Sequence, residues 1–148
     1  MTVVFADSSA LVKLYVDEPG SAAIRRRERR GRFFVSSVAR VEVPSAFWRK
    51  ARAGEMDATD ARMLTNKFEV DWYGQPGTEA RFPLVAASSA LMADAARLCE
   101  SHALKALDAI QLASALAIPA DEPVGIACYD QRLARAAEAE GLPVLTPG

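Results

Sequence analysis

VVFADSSALVKLYV, residues 3–16, runs from a strand into a helix through a single acid. Val3–Ala6 is a short apolar run that reads as a strand. Residues 8–16 read as a helix, stopped by the DEPG turn at residues 17–20. Asp7 stands between the two. The same arrangement returns near the other end of the chain. Residues 124–128 (VGIAC) read as a strand, residues 131–140 as a helix with Gly141 past its end, and Asp130 lies close before that helix. Strands separated by helices build a layered α/β fold with a mainly parallel sheet.

The remaining segments fit that plan. Residues 21–30 read as a basic helix with Gly31 as its C-terminal cap, and Phe33–Ser36 as a second strand. Ser36 or Ser37 can cap a helix over residues 38–53, which Gly54 ends. Asp57 or Thr59 opens a helix that carries Ala61, Leu64, Phe68 and Trp72 at helical spacing. Residues 73–78 (YGQPGT) form a loop, and residues 82–86 a third strand. Ser88 or Ser89 caps a helix to His102, and residues 106–118 form a helix that stops before Pro119. Residues 143–146 read as a short last strand. The expectation is one domain over residues 1–148 with a sheet of four to five strands. In such folds ligands sit outside the carboxyl ends of the strands.

Composition narrows the chemistry. The chain has 148 residues, 51% of them hydrophobic and 25% charged, the balance of a single soluble domain. Neither a membrane-spanning run nor a signal peptide is expected, which points to the cytoplasm. A net charge of −1 gives no global sign of nucleic-acid binding, so phosphate contacts need a local basic patch. Cys99 and Cys128 sit in apolar contexts without zinc-site spacing and read as buried and reduced. The single His102 cannot build a histidine metal centre and instead suits the end of a helix. Carboxylates, hydroxyls, Lys and Arg remain.

Four acids occupy positions where solvent-facing charge is not expected. Asp108 has Leu104 and Leu112 four residues to either side, which puts it on an apolar helix stripe. A carboxylate there is paired, protonated or metal-bound, unless it caps the first turn. Asp7 and Asp130 follow strands, with N-capping as the alternative. Glu42 shares a helix face with Val38 and Ala46, with a surface position as its alternative, and Pro44 beside it is expected to bend that helix. Four carboxylates at one sheet end could not all stay ionised without a cation. An oxygen-only ligand set suits Mg²⁺ or Mn²⁺.

These segments resemble the PIN-domain ribonucleases, in particular the VapC toxins of bacterial toxin–antitoxin pairs. The resemblance is carried by FADSSALVKLY from Phe5, SSVARVEV from Ser36, LKALDAIQLASAL from Leu104 and CYDQRLARAAEAEGLPVL from Cys128. It implies a three-layer α/β/α fold and a metal-dependent endoribonuclease. It also implies that Asp7, Glu42, Asp108 and Asp130 form the acidic cluster, with Asp7 and Asp108 as the surest Mg²⁺ ligands and Ser9 as a supporting hydroxyl. Lys13 and Arg40 match basic positions near the site. They are candidates for substrate binding, or else a solvated Lys and an Arg lying over apolar surface. The resemblance further implies RNA as substrate, a VapB-like antitoxin covering the acidic groove, and a homodimer. Phe47 and Trp48 are candidate dimer contacts, with core packing as their alternative.

Arg25, Arg26, Arg27, Arg29, Arg30 and Arg32 crowd one helix and its exit, and Arg49, Lys50 and Arg52 end another. They form either a phosphate track or solvated basic faces. A response-regulator receiver domain also clusters acids around Mg²⁺. It needs a phosphorylatable Asp after a central strand, and neither Phe33–Ser36 nor residues 82–86 is followed by one. A catalytically silent PIN-like module that binds RNA or protein is the other rival.

Overall fold

Consecutive residues of the first strand, β1 (Val3–Ala6), face opposite sides of a sheet. Val4 and Ala6 join one apolar cluster, while Phe5 joins another. In the computed structural model, which describes residues 2–146, the later helices pack on one side or the other of this division and the later strands extend it across the sheet. In chain order they are α1 (Ser8–Tyr15), α2 (Ser21–Glu28), β2 (Phe33–Ser36), α3 (Ala39–Arg52), α4 (Ala58–Tyr73), β3 (Leu84–Val85), α5 (Ser89–His102), α6 (Ala106–Leu116), β4 (Val124–Ala127) and α7 (Gln131–Ala139). Residues of α1–α4 bury against Val4, Phe33 and Val35. Residues of α5–α7 bury against Phe5 and Ile126. The result is the three-layer α/β/α architecture.

All strand pairs are parallel, in the order β3-β2-β1-β4. From β1 the chain goes to β2 on one side, continues outward to β3, and crosses back through α5 and α6 to β4 on the other side of β1. The order therefore reverses between β1 and β4, the crevice where open α/β sheets bind ligands. The two strands are paired from Val3↔Val124 to Ala6↔Ala127, so their carboxyl ends lie side by side.

Two expected strands are shorter than their sequences suggest. Residues 82–86 give only Leu84–Val85 at the sheet edge, because Pro83 has no N–H to donate, although its carbonyl accepts from Val35 N–H at 3.0 Å. Residues 143–146 make a single parallel bridge, Ile126↔Val144, not a fifth strand. Pro143 again lacks a donor, and the Thr146 hydroxyl takes over from backbone by accepting from Cys128 N–H at 3.2 Å. Gly125 lets this segment lie close, since a Cβ there would come within 2.5 Å of Leu145 Cδ1.

Helix ends show smaller differences. α2 stops at Glu28, and Gly31 is not its left-handed cap, whereas Gly54 and Gly141 do adopt positive φ after their helices. α3 continues through Pro44. His102 is the last residue of α5 and its Nε2 lies 2.7 Å from Glu140 Oε2. Both cysteines are free; Cys128 is buried and Cys99 half-buried. Phe47, expected as a possible dimer contact, is fully buried in the core beside Tyr15, so core packing accounts for it. Trp48 is half-buried against the same core, with the Arg62 guanidinium 5.1 Å from its ring. No helix among the described residues is long and apolar enough to cross a membrane.

Candidate active site

The parallel ladder places Asp7 first. Its N–H donates to Ala127 O at 3.1 Å, which extends the β1–β4 pairing by one residue and holds Asp7 at the crevice. Asp7 is also the N-cap of α1, with Oδ1 accepting from Ala10 N–H at 3.0 Å and from the Ser9 hydroxyl at 2.6 Å. Ser9 Oγ in turn accepts from Tyr129 N–H at 3.1 Å, so one hydroxyl ties the end of β1 to the loop after β4. Asp130 sits in that loop and caps α7 through Oδ1 to Leu133 N–H at 3.0 Å. Both acids therefore cap helices, the alternative posed for each, and capping leaves them beside the β1–β4 crevice.

Glu42 enters from α3. The Ser8 hydroxyl and Gln111 Nε2 both donate to its Oε1 at 2.8 Å, and Gln111 also donates to Ser8 Oγ at 2.8 Å. This triangle joins α1, α3 and α6. Asp108 lies in the first turn of α6. Leu104 precedes that helix, because Lys105 is the N-cap, so the apolar stripe expected on both sides of Asp108 holds only toward Leu112. Among the described residues nothing donates a hydrogen bond to the Asp108 carboxylate.

Asp7, Glu42, Asp108 and Asp130 all line one cleft of about 240 Å³, with Ser8, Ser9, Val12, Ala46, Arg49 and Gln111 as the other walls. Asp7 is 4% exposed, and burial pushes its carboxyl up to about 6 even though the Ser9 hydroxyl and the Ala10 N–H donate to it. Burial also raises Asp108, helped by the negative charges of Asp130 and Glu42 and opposed by Lys105 and Arg132. The charge of Asp130 thus makes both Asp7 and Asp108 harder to ionise, and that of Glu42 adds to the effect on Asp108.

The residues fit a divalent cation in kind and in charge. Every carboxylate donor in the cleft is oxygen, the preference of Mg²⁺ and Mn²⁺, and a cation would relieve the crowding that raises Asp108. Among the described residues no three His, Cys, Asp or Glu side chains stand close enough to hold an ion as they are. Mg²⁺ does not require such a cage, since it keeps several waters and binds through one or two carboxylates.

Other candidates lie elsewhere. Lys13 Nζ is committed to Glu18 Oε1 at 3.1 Å and Pro19 O at 2.7 Å, over the Tyr129 ring. Arg40 pairs with Glu69 at 3.1 Å and donates to Tyr73 Oη at 3.3 Å. Neither lines the acidic cleft. Arg49 does, and it was distinguishable in sequence only as one of a basic helix end. Ser8 and Gln111 were not singled out; the available signal was a Gln three residues after Asp108 on the same helix face. The arginines of α2 belong to a different surface. Arg25 pairs with Asp17, Arg32 with Glu79, and Arg26, Arg27 and Arg30 line a cleft with Tyr129, Leu145 and Thr146.

The family model described as PIN domain matches residues 4–139. Ribonuclease VapC46 of Mycobacterium tuberculosis is 33% identical over 149 residues, covering 99% of each chain. Ribonuclease VapC49 of the same organism is 31% identical over 145 residues, covering 97% of this chain and 95% of its own. The crystal structure of FitAcB from Neisseria gonorrhoeae has the same fold, with a TM-score of 0.63 at 14% identity over 98% of both chains.

Proposed function

The chain belongs to the PIN-domain family and is VapC-like, and from that premise we propose that it is a metal-dependent endoribonuclease toxin of the cytoplasm. The observation that carries the reading is the convergence of Asp7, Glu42, Asp108 and Asp130 on one cleft at the β1–β4 crevice. Relatives at 31–33% identity over nearly the whole chain are named ribonucleases, which supports RNA as the substrate.

Asp7 and Asp108 would hold Mg²⁺ or Mn²⁺, with Glu42 and Asp130 contributing directly or through water. The cation would supply charge neutralisation, phosphoryl polarisation and activation of water. The chain's own groups do the positioning. Ser9 and the Ala10 N–H both hold Asp7 Oδ1, which fixes the carboxylate plane. Ser8 and Gln111 fix Glu42 Oε1 and leave Oε2 as the oxygen that can accept a proton or orient water. Asp130 keeps Oδ1 on its helix cap, which restricts how it can turn into the cleft. Arg49, the cation of the cleft wall, is placed to meet a phosphate that the acids alone would repel.

An antitoxin and a homodimer complete the reading. The antitoxin would cover this acidic cleft with a basic side chain. Expression without it would arrest growth, and a small protein encoded beside this chain would relieve the arrest. Harmless expression of soluble, active enzyme would count against a toxin.

Purified protein should cleave structured RNA with Mg²⁺ or Mn²⁺, and EDTA or Asp108→Asn should abolish cleavage. Full activity in the Asn variant would remove the site assignment. RNA binding by the wild type without any cleavage would make it a silent member of the family.

A further inference from the structure

A second cleft, of about 420 Å³, adjoins the acidic one. Lys105, Asp108, Asp130, Gln131, Arg132 and Arg135 line it, so Asp108 and Asp130 form a wall common to both. Lys105, Arg132 and Arg135 are exposed, and none forms an ion pair or side-chain hydrogen bond with a described residue. That separates them from Lys13, Lys50, Arg25, Arg32, Arg40 and Arg81, which are paired with carboxylates. Lys105 and Arg132 already act on Asp108 across the shared wall. Cations outnumber carboxylates here, whereas in the acidic cleft Arg49 faces four acids.

We infer that this cleft seats an RNA phosphate next to the one at the acids, and that Lys105, Arg132 and Arg135 set the path of the strand. The inference rests on the ribonuclease reading for the identity of its anion. A phosphodiester chain carries its charges at regular intervals, so a strand whose reacting phosphate lies among Asp7, Glu42 and Asp108 brings a further phosphate to an adjacent site. The unpaired cations across the shared wall are the groups that can receive it without first breaking an ion pair. The arginine-rich cleft of α2 shares no lining residue with the acidic cleft, which makes it the weaker candidate for that neighbouring phosphate. Lys105, Arg132 and Arg135 are therefore assigned as positioning residues for RNA, not as catalytic residues.

The test is binding of a labelled single-stranded RNA in EDTA, so that nothing is cleaved, with affinity measured against salt. A Lys105→Gln, Arg132→Gln, Arg135→Gln triple variant should show a log–log salt slope shallower by about 2, since each single-strand phosphate contact contributes about 0.7. Each single variant should remove about a third of that. Arg26→Gln with Arg29→Gln and Arg30→Gln, on α2 and its exit, serves as the charge-matched control and should leave the slope unchanged. With Mg²⁺ present, the triple variant should raise KM for an oligonucleotide far more than it lowers kcat. An unchanged slope in folded triple variant, an equal effect from the α2 control, or no RNA binding by the wild type overturns the inference. Cleavage that persists alongside an unchanged slope leaves the ribonuclease reading standing without this cleft. A shallower slope in a protein that never cleaves keeps the cleft and removes the nuclease.

Discussion

Gln111 Nε2 lies 2.8 Å from Glu42 Oε1 and anchors an α3 acid to α6. Gln111 is 2% exposed, so its amide has no solvent to fall back on, and its Oε1 is buried without a partner. Replacing it with Leu keeps the volume while freeing Glu42 and Ser8. A hydrogen bond to a charged group contributes about 1.5–3 kcal/mol, so Gln111→Leu should lower kcat/KM on the order of tenfold or more while the protein stays folded. Steady-state cleavage beside a thermal melt reads both quantities. Unchanged cleavage would show that Glu42 needs no such support.

Asp7 makes the metal-free protein sensitive to pH in a direction opposite to ordinary acid denaturation. Its folded pKa of about 6 lies above the unfolded value of 3.8 because the carboxyl is buried. Between those values the folded state holds the extra proton, so stability falls as pH rises. The Asp7 contribution is full below about 4 and lost by about 7, on the order of 3 kcal/mol. Urea melts in EDTA should therefore show higher stability from this group at pH 5 than at pH 7. Asp7→Asn, which can still cap α1, should flatten that difference. Mg²⁺ binding to the folded state should restore stability at pH 7 and do little at pH 4. A pH profile that Asp7→Asn leaves unchanged would contradict the assignment.

The strand–acid–helix units around Asp7 and Asp130 were legible because an apolar run, a capping acid and a helix are local signals. Sheet order was not local, yet the alternation of strands and helices already pointed to the carboxyl ends of the strands as the place for a site. What could not be read was pairing. Lys13 and Arg40 looked available in sequence, but Glu18 and Glu69 claim them through contacts set by turns and helix packing. Lys105, Arg132 and Arg135 carry no signal of their own in the sequence, and the fold leaves them unpaired beside the acids. The extent of residues 82–86 and 143–146 was overread because apolar character survives a Pro that removes a ladder donor.

Arg81 holds the far side of the domain together. Its guanidinium bonds Glu28 through two nitrogens, at 2.8 and 2.6 Å, and Asp71 at 2.8 Å, while Tyr15 Oη donates to Asp71 at 2.5 Å. The side chains are only 29%, 16% and 22% exposed for Arg81, Glu28 and Asp71, so solvent screens the pairs partially. Arg81→Ala should cost about 2–3 kcal/mol, below the full cost of breaking a buried pair. Arg81→Lys should recover only part, since an ammonium cannot make the two-nitrogen contact. A double-mutant cycle with Glu28→Gln isolates the coupling; additive losses would mean that the bidentate pair contributes nothing of its own.

Arg49 is the cation in a cleft of four acids, so the proposed metal-dependent nuclease predicts that it sets RNA and metal affinity against each other. Removing it takes away a phosphate contact and also deepens the negative potential that attracts a divalent ion. Arg49→Leu should therefore weaken RNA binding severalfold in EDTA and tighten Mn²⁺ binding severalfold, as expected for one charge acting across a partly solvated cleft. The residue is exposed, so little stability is at stake. Anisotropy with labelled RNA and calorimetric titration with Mn²⁺ measure the two arms separately. The signs must oppose: a variant that loses both affinities points to a collapsed cleft, and one that loses neither places Arg49 outside the reach of both ligands.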